Sequence, residues 1–305
     1  MAYHDIFRYP VTAAEIWRFL DQPVSREQLS IQMEEMVAAS QLYVQDGLYT
    51  AKEDPSLIER RHDGNIRAAE LLPIGYCIGR FLGKFPFVRG VGISGSLSKD
   101  FADDQADIDY FIITKANRLW IARTLLHCLK KLSFLIGKQH WFCMNYFIDE
   151  DALLMPEQNL FIAIETTTLK PVSGKAMPAF FSANLWARKY FPNQRPATVD
   201  IPDGDSWPKR TLEWLLNGIA GERLDNWLMR LTHKRWQRKE QQQRVNSKGF
   251  PLALRITKHY GRPNPEHLQK KILGMYAEKS RTMPPPKPWA DVVAIPVHFF
   301  RKEII

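Results

Sequence analysis

Three short apolar runs and one long helical run limit the fold of this chain more than any other feature. Phe87 to Ile93 and Ile108 to Thr114 are apolar runs of strand length, and a third extends from Trp141 to Ile148. Between the second and the third, residues 118 to 136 carry the apolar spacing of a helix. Strand, loop, strand, helix and strand in this order predict an α/β core.

The first 53 residues carry the signals of a small helical unit with a hairpin. Thr12 to Glu15 and Ser25 to Gln28 are capping boxes, each followed by apolar residues at helical spacing. Asp46 and Gly47 separate two short apolar runs, which predicts a hairpin. Helices followed by a small hairpin resemble a winged helix-turn-helix. Such units bind DNA or contact proteins, and both alternatives stay open.

Another helix is expected to begin after Asp54, which has the residue type of an N-cap and precedes Pro55. The apolar pattern continues to about Leu72. Pro73 should break or kink this helix, because proline lacks the backbone N–H that a helix interior requires.

The rest of the chain gives a mainly helical pattern, so we divide the sequence into 1–53, a core at 54–158 and a helical C-terminal region at 159–305. Tryptophans are the expected packing anchors of that region: Trp186, Trp214, Trp227 and Trp236. One helix is predicted to turn an apolar face inward, formed by Leu224, Trp227, Leu228 and Leu231. Beside it runs a basic stripe of Arg230, Lys234 and Arg238, which either lines a nucleic-acid track or is solvated.

The charge of the chain is concentrated in one stretch. Its formal net charge is +9, and residues 209 to 262 alone hold 13 Lys/Arg against 4 Asp/Glu, a difference of 13 − 4 = +9. This permits an anionic partner such as nucleic acid or a nucleotide without requiring one.

The cysteines and the apolar runs indicate where the protein resides. Cys77, Cys128 and Cys143 are too scattered for a disulfide framework or a zinc site, and each lies in an apolar segment where burial is expected. No uncharged apolar run is long enough for a transmembrane helix, and the first residues lack the pattern of a secretory signal. We therefore expect a cytoplasmic protein without a membrane span.

Two aspartates carry the most informative chemical signal. Asp107 and Asp109 should share one face of a strand, with Ile108 and Tyr110 on the other, because side chains alternate along a strand. Two carboxylates on one face repel each other, and a divalent cation relieves this repulsion. Magnesium suits the arrangement, because it takes one or two carboxylates and leaves its other positions to water and phosphates.

A glycine-serine turn precedes the aspartates. Gly95 lets the backbone approach a phosphate closely, and Ser96 and Ser98 can add hydroxyl donors. Lys99 is either a further phosphate contact or a solvated loop lysine. Turn and aspartates together would hold a nucleoside triphosphate on its metal.

This pattern resembles the signature of the DNA polymerase β-like nucleotidyltransferase superfamily. Gly95 and Ser96 are followed, after ten residues, by Asp107, Ile108 and Asp109, although Ser94 stands where the family has an apolar residue. The resemblance implies an α+β core with a mixed sheet, and transfer of a nucleoside monophosphate from a triphosphate on Mg²⁺ or Mn²⁺. The acceptor (a protein, a small molecule or an RNA end) is left open.

The resemblance also implies a third carboxylate on a later strand, and here the chain departs from it. The corresponding polar position is Asn145, whose amide can coordinate metal but cannot take a proton. Asp149 and Glu150 lie just beyond and are alternatives at the end of the strand. Two hypotheses follow: an enzyme that transfers nucleotides, and a nucleotide-sensing winged-helix regulator with weak or no catalysis.

Overall fold

The computed structural model describes residues 1–194, 201–245, 253–263 and 265–282. The N-terminal segment contains α1 Ala2–Ile6, β1 Val11–Thr12, α2 Ala13–Arg18, α3 Arg26–Ala38, β2 Tyr43–Gln45 and β3 Leu48–Thr50. The middle contains α4 Pro55–Gly83, β4 Val88–Ile93, β5 Asp109–Thr114, α5 Leu119–Ser133 and β6 Cys143–Asp149. The C-terminal region contains α6 Leu160–Thr168, β7 Lys170–Ser173, α7 Ala176–Ala183, α8 Trp207–Leu216, α9 Ile219–Gln241, β8 Leu254–Ile256, β9 Tyr260–Pro263 and α10 Pro265–Thr282.

The architecture is mixed α/β around a six-stranded sheet with the order β7-β4-β5-β6-β9-β8. The pair β5–β6 is parallel and the other neighbouring pairs are antiparallel, so the sheet is mixed. The crossover through α5 makes the parallel pair possible, because parallel strands need a long connection. The predicted α/β class, the mixed sheet and the mainly helical C-terminal region are confirmed at this level.

Helices cover both faces of the sheet. Along β5, Tyr110 and Ile112 belong to the cluster that α4 and α5 cover, whereas Phe111 and Ile113 belong to the cluster with α6 and α7. This alternation follows from the strand geometry, and it buries β5 on both faces.

The local signals of the N-terminal unit are confirmed. Thr12 and Ser25 close the two predicted capping boxes at the starts of α2 and α3. The hairpin β2–β3 turns at Asp46 and Gly47, which have φ angles of +53° and +73°. This turn needs left-handed backbone at both positions, and Asp-Gly tolerates it. Strand β1 adds to β3, giving a three-stranded sheet that the sequence did not predict.

The expected break at Pro73 is wrong, because α4 runs through this residue and spans 29 residues from Pro55 to Gly83, while the alternative, a kink, stays a prediction. Asp54 caps the helix as predicted, its side chain accepting from the N–H of Ser56. Beyond the proline, Gly75 and Gly79 lie against the sheet, and a Cβ added at Gly79 would meet Val172 Cγ1 at 2.7 Å. This packing stabilises the second half of the helix and offsets the backbone hydrogen bond that proline removes.

Three strands of the sheet were not expected from the sequence. β7 forms one edge, which allows Pro171 because an edge strand does not need every N–H for pairing. β8 and β9 form the other edge. All three lie in the segment 159–305, whose boundary at 158 stays a prediction, and residues 283–305 of that segment lie outside the described residues.

Several burial expectations are also wrong. Cys77 and Cys128 are exposed and only Cys143 is buried.

In α9, Leu224 and Leu228 pack inward, but Trp227 and Leu231 are more than half exposed, as is Trp214 of α8. The four residues share one face of α9, and only the part of this face that holds Leu224 and Leu228 packs on the cluster with Phe87. No helix among the described residues is both long and apolar enough to cross a membrane.

Candidate functional site

The two aspartates lie where β5 begins. Asp109 is the first residue of β5 and faces Cys143 of β6 across the parallel pair, whereas Asp107 lies in the loop before the strand. Ile108 and Tyr110, on either side of Asp109, are completely buried. The alternation predicted from the sequence therefore directs Asp109 away from the core that holds its neighbours.

The glycine-serine turn touches this strand. Gly95 has φ +69°, and a Cβ added to it would lie 2.7 Å from Asp109 Oδ2. The backbone N–H of Ser94 donates to the carbonyl of Asp109 at 2.9 Å. The position needs glycine for its left-handed backbone and for the space that the Asp109 carboxylate occupies.

Asn145 reaches the same carboxylate. Its amide nitrogen donates to Asp109 Oδ1 at 2.9 Å and to Cys143 Sγ at 3.1 Å. The β5–β6 register shifts between Tyr110 and Phe111, so Asn145 is the extra residue of a β-bulge. A bulge can redirect a side chain, and here the side chain of Asn145 is exposed next to Asp109.

His140 completes this group, and the sequence analysis missed it. Its Nδ1 lies 2.7 Å from Asp107 Oδ1, and both side chains are about half exposed. A short 3₁₀ turn at Gln139–Trp141 presents the histidine. Nothing in the sequence marks this pairing, because His140 and Asp107 are distant in the chain and meet only when β5 and β6 pair.

The pKa of the Cys143 thiol is affected by both carboxylates. Burial, together with the negative charges of Asp109 and Asp107, raises the pKa of this thiol to about 12, while Lys130 opposes the shift. The cross-strand pair of Asp109 and Cys143 and the Asn145 amide that contacts both side chains account for the effect of Asp109. A pKa raised in this way keeps the thiol protonated at neutral pH, which disfavours a role as nucleophile.

The other predicted residues of the turn have different surroundings. Ser96 is exposed, whereas Ser98 is buried and donates to the carbonyl of Gly95 at 2.7 Å. Lys99 donates to the same carbonyl at 3.0 Å and to Glu165 Oε1 at 2.9 Å. Ser98 and Lys99 thus hold the turn together here, and Ser96 is the hydroxyl that faces solvent.

The N-terminal unit supports the same loop. Tyr9 Oη donates to the carbonyl of Lys99 at 2.9 Å, and its ring meets that of Phe101 edge to face. The buried guanidinium of Arg61 lies 3.9 Å from the Tyr9 ring centroid and pairs with Glu15 at 2.9 Å. Residues 96–101 are therefore held from both sides, by the sheet and by the first unit.

Asp149 is not near this group. It lies at the other end of β6, opposite Thr114, five residues along β5 from Asp109, which is roughly 16 Å. It is fully buried and accepts from the backbone N–H groups of Asn117 and Asp151. Asp149 and the adjoining Glu150 are thus ruled out as substitutes for the third carboxylate.

Asp149 belongs to a second group of polar side chains. His259 Nδ1 lies 3.0 Å from Asp149 Oδ2, and the ligand atoms of Asp149, Asp151 and His259 all lie within 4.8 Å of one another. Such a trio could hold a metal ion. In this structure the oxygens of Asp149 are already used to cap the backbone of two loops.

The chain matches no protein-family model, no curated protein and no solved structure. The geometry just described and the resemblance of the motif are therefore the only grounds for assigning a function. That geometry consists of a left-handed glycine turn, an adjoining carboxylate, a second carboxylate close by, and an amide and an imidazole that bind these two.

Proposed function

We propose that the chain is a Mg²⁺- or Mn²⁺-dependent nucleotidyltransferase of the DNA polymerase β-like superfamily, which moves a nucleoside monophosphate from a triphosphate to an acceptor. The observation that carries the proposal is the contact between the Gly95 turn and the Asp109 carboxylate. In this arrangement a metal held by Asp109 and Asp107 and a phosphate approached by the turn would be neighbours.

Each residue of the site has a part in this proposal. Asp107 and Asp109 would hold the cation, which neutralises charge on the triphosphate during in-line attack. Asn145 binds Oδ1 of Asp109 and orients its carboxylate. His140 orients Asp107 in the same way. Ser96 offers an exposed hydroxyl to the phosphates, and Ser98 and Lys99 keep the turn in shape.

A nucleotide sensor is the second candidate function, and Asn145 is the observation that favours it. Its amide stands beside Asp109, where the resemblance implies a third carboxylate, and an amide cannot accept the proton of an attacking hydroxyl. A site of this kind would bind the triphosphate and its metal yet turn it over slowly or not at all.

The first unit fits a winged helix within either proposal. Its helices α2 and α3 precede the hairpin, and the three-stranded sheet β1-β3-β2 supports this assignment. Helix α3 of this unit carries Glu34 and Glu35, and Tyr9 of the unit contacts the loop at residues 96–101. We infer that the unit transmits the state of the site, with DNA or protein as its partner.

The binding step is tested by titrating the purified protein with ATP or GTP in the presence of Mg²⁺. Asp107→Asn and Asp109→Asn should abolish the metal-dependent part of the binding. Asp103→Asn is the matched control, because Asp103 is an exposed acid of the same loop paired with Arg60. Binding that is absent, or that ignores the two site variants, would end both proposals.

Transfer is tested separately with triphosphate labelled at the α-phosphate and a cell extract as the source of acceptors. An enzyme leaves label on a protein, an RNA or a small molecule, and a sensor leaves none. If the wild type labels nothing, Asn145→Asp should introduce transfer, because it supplies the missing carboxylate beside Asp109.

A further inference from the structure

Helices α8 and α9 present a surface that the proposed function does not use. On their outer sides stand six large apolar residues with exposed fractions between 53% and 79%: Trp207, Trp214, Leu215, Ile219, Trp227 and Leu231. The outer side of α9 adds four exposed cations at helical spacing: Arg223, Arg230, Lys234 and Arg238. We refer to these ten residues as the tryptophan–arginine face.

The face is not a core that lacks its packing. The inner sides of both helices are already occupied, since Leu216 of α8 and Leu224 of α9 meet in one apolar cluster with Phe87. The buried Asp225 of α9 accepts from the N–H of Ile121. Because the inner sides share one cluster, the outer sides of both helices face away from it.

The residues that the structure describes do not neutralise the positive charge of the face. Within the part of the chain that the structure describes, no carboxylate lies within ion-pair distance of Arg223, Arg230, Lys234 or Arg238. The acids near the face are engaged elsewhere: Glu222 pairs with Lys258, and Asp225 is buried. A surface with this excess of positive charge attracts a polyanion.

The apolar residues decide which polyanion fits. Tryptophan stacks on nucleotide bases, but exposed Leu215, Ile219 and Leu231 gain nothing from a phosphate backbone. A second copy of the chain would bring the same four cations opposite each other across a two-fold axis, which is unfavourable. A lipid bilayer with anionic headgroups meets all three features, because it takes aliphatic side chains, interfacial tryptophans and cations together.

We propose that the tryptophan–arginine face docks the protein on the surface of an anionic membrane. The apolar side chains enter the boundary between headgroups and acyl chains, and the arginines and the lysine contact the headgroup phosphates. This association is peripheral, and it does not depend on the nucleotidyltransferase proposal. Its effect is to hold the protein where lipid-linked or membrane-bound partners are concentrated.

The test is co-sedimentation of the full chain with vesicles of phosphatidylcholine, alone or mixed with phosphatidylglycerol. The protein should bind the mixed vesicles, bind the neutral ones weakly, and lose affinity as salt is raised. Replacing Arg230 and Lys234 by glutamine should weaken binding roughly tenfold or more. Trp214→Ser with Leu231→Ser should weaken binding to the mixed vesicles at every salt concentration.

Two controls distinguish a folding defect from the loss of a contact with the vesicle. Ile31→Ser removes an aliphatic side chain that is 61% exposed on α3, outside the face, and it should leave vesicle binding unchanged. Brominated acyl chains should quench the tryptophan fluorescence of the wild type. The quenching should be smaller in Trp214→Phe, which keeps an aromatic ring at this position and should keep the fold.

Three results would overturn the proposal. The first is no binding to the mixed vesicles at low salt. The second is binding that the face variants leave unchanged. The third is a different occupant: single-stranded RNA bound more tightly than the vesicles, or a concentration-dependent dimer that Leu231→Ser dissociates.

Discussion

The two ends of the β5–β6 pair both carry aspartates, and the surroundings of these aspartates differ. At one end, which we name the site edge, Asp107 and Asp109 lie beside the Gly95 turn and bind exposed side chains. At the opposite end, the far edge, Asp149 and Asp225 are buried and accept backbone N–H groups from residues 117–121. The same residue type thus caps backbone at the far edge and pairs with exposed polar side chains at the site edge.

This difference shows that the role of an acidic residue, structural or binding, cannot be assigned from its position on a strand alone. Asp149 ends β6 just as Asp109 begins β5, but only Asp109 touches a left-handed glycine. A buried carboxylate changes folding stability through the N–H bonds it accepts and through the cost of burying its charge, whereas exposed carboxylates close together contribute little to folding. Substitutions at the far edge should therefore change stability, and those at the site edge should change binding.

The largest effect is expected for Asp149→Ala. The substitution removes a fully buried side chain and leaves the partly buried N–H groups of Asn117 and Asp151 without their acceptor, and it should lower the free energy of unfolding by about 2–4 kcal/mol. Urea unfolding measures this. Asp151→Ala is the control, because Asp151 is exposed in the same turn. Equal stability of the two variants would contradict the capping role of the far edge.

Gly95→Ala should lower both the stability of the protein and its affinity for nucleotide. A left-handed backbone costs a non-glycine residue about 1–2 kcal/mol, and the added Cβ would displace the Asp109 carboxylate, so nucleotide binding should also be lost. Gly137→Ala is a matched control, since Gly137 has φ +64° with nothing within 4 Å of an added Cβ. Stability and nucleotide affinity measured side by side would separate strain from displacement. If both variants bind nucleotide equally, the Gly95 turn is not part of a site.

Titration of the Asp225 carboxylate should make the free energy of unfolding depend on pH. Burial raises its pKa from 3.8 to about 6, although the N–H of Ile121 opposes this. The folded state then binds more protons than the unfolded state between about pH 4 and 6, so the free energy of unfolding falls as pH rises through this window. Asp225→Asn keeps an acceptor for Ile121 and should raise stability at neutral pH by about 1 kcal/mol. That gain should disappear near pH 4, and a gain independent of pH would contradict the assignment to this carboxylate.

The smallest effect on stability is expected at the site edge. Asp107→Asn and His140→Gln should each change the free energy of unfolding by less than about 0.5 kcal/mol, because both side chains are about half exposed. Asp107→Asn should nevertheless remove Mg²⁺-dependent nucleotide binding. A large loss of stability in either variant would contradict the expectation that only the far edge contributes to stability.

Several elements could be predicted from the sequence because their determinants lie within a few residues. The capping boxes at Thr12 and Ser25, the Asp54 cap and the Asp46-Gly47 turn each depend on a hydrogen bond or a backbone conformation of neighbouring residues. The runs that form β4, β5, α5 and β6 were recognisable from apolar spacing alone. The order of Gly95 and Asp109 likewise placed a turn and a carboxylate on consecutive strands, which here pair.

The tertiary structure decided what depends on distant partners. Pro73 is tolerated because the residues beyond it pack on the sheet, and β7 and β9 exist because β4 and β6 offer them edges. Asp107 meets His140 only through the pairing of β5 with β6. Trp227 is exposed because only part of the apolar face of α9, at Leu224 and Leu228, packs against the core. Local patterns specify conformation along the chain, whereas burial and side-chain contacts depend on which segment packs opposite, and no short stretch of sequence contains that information.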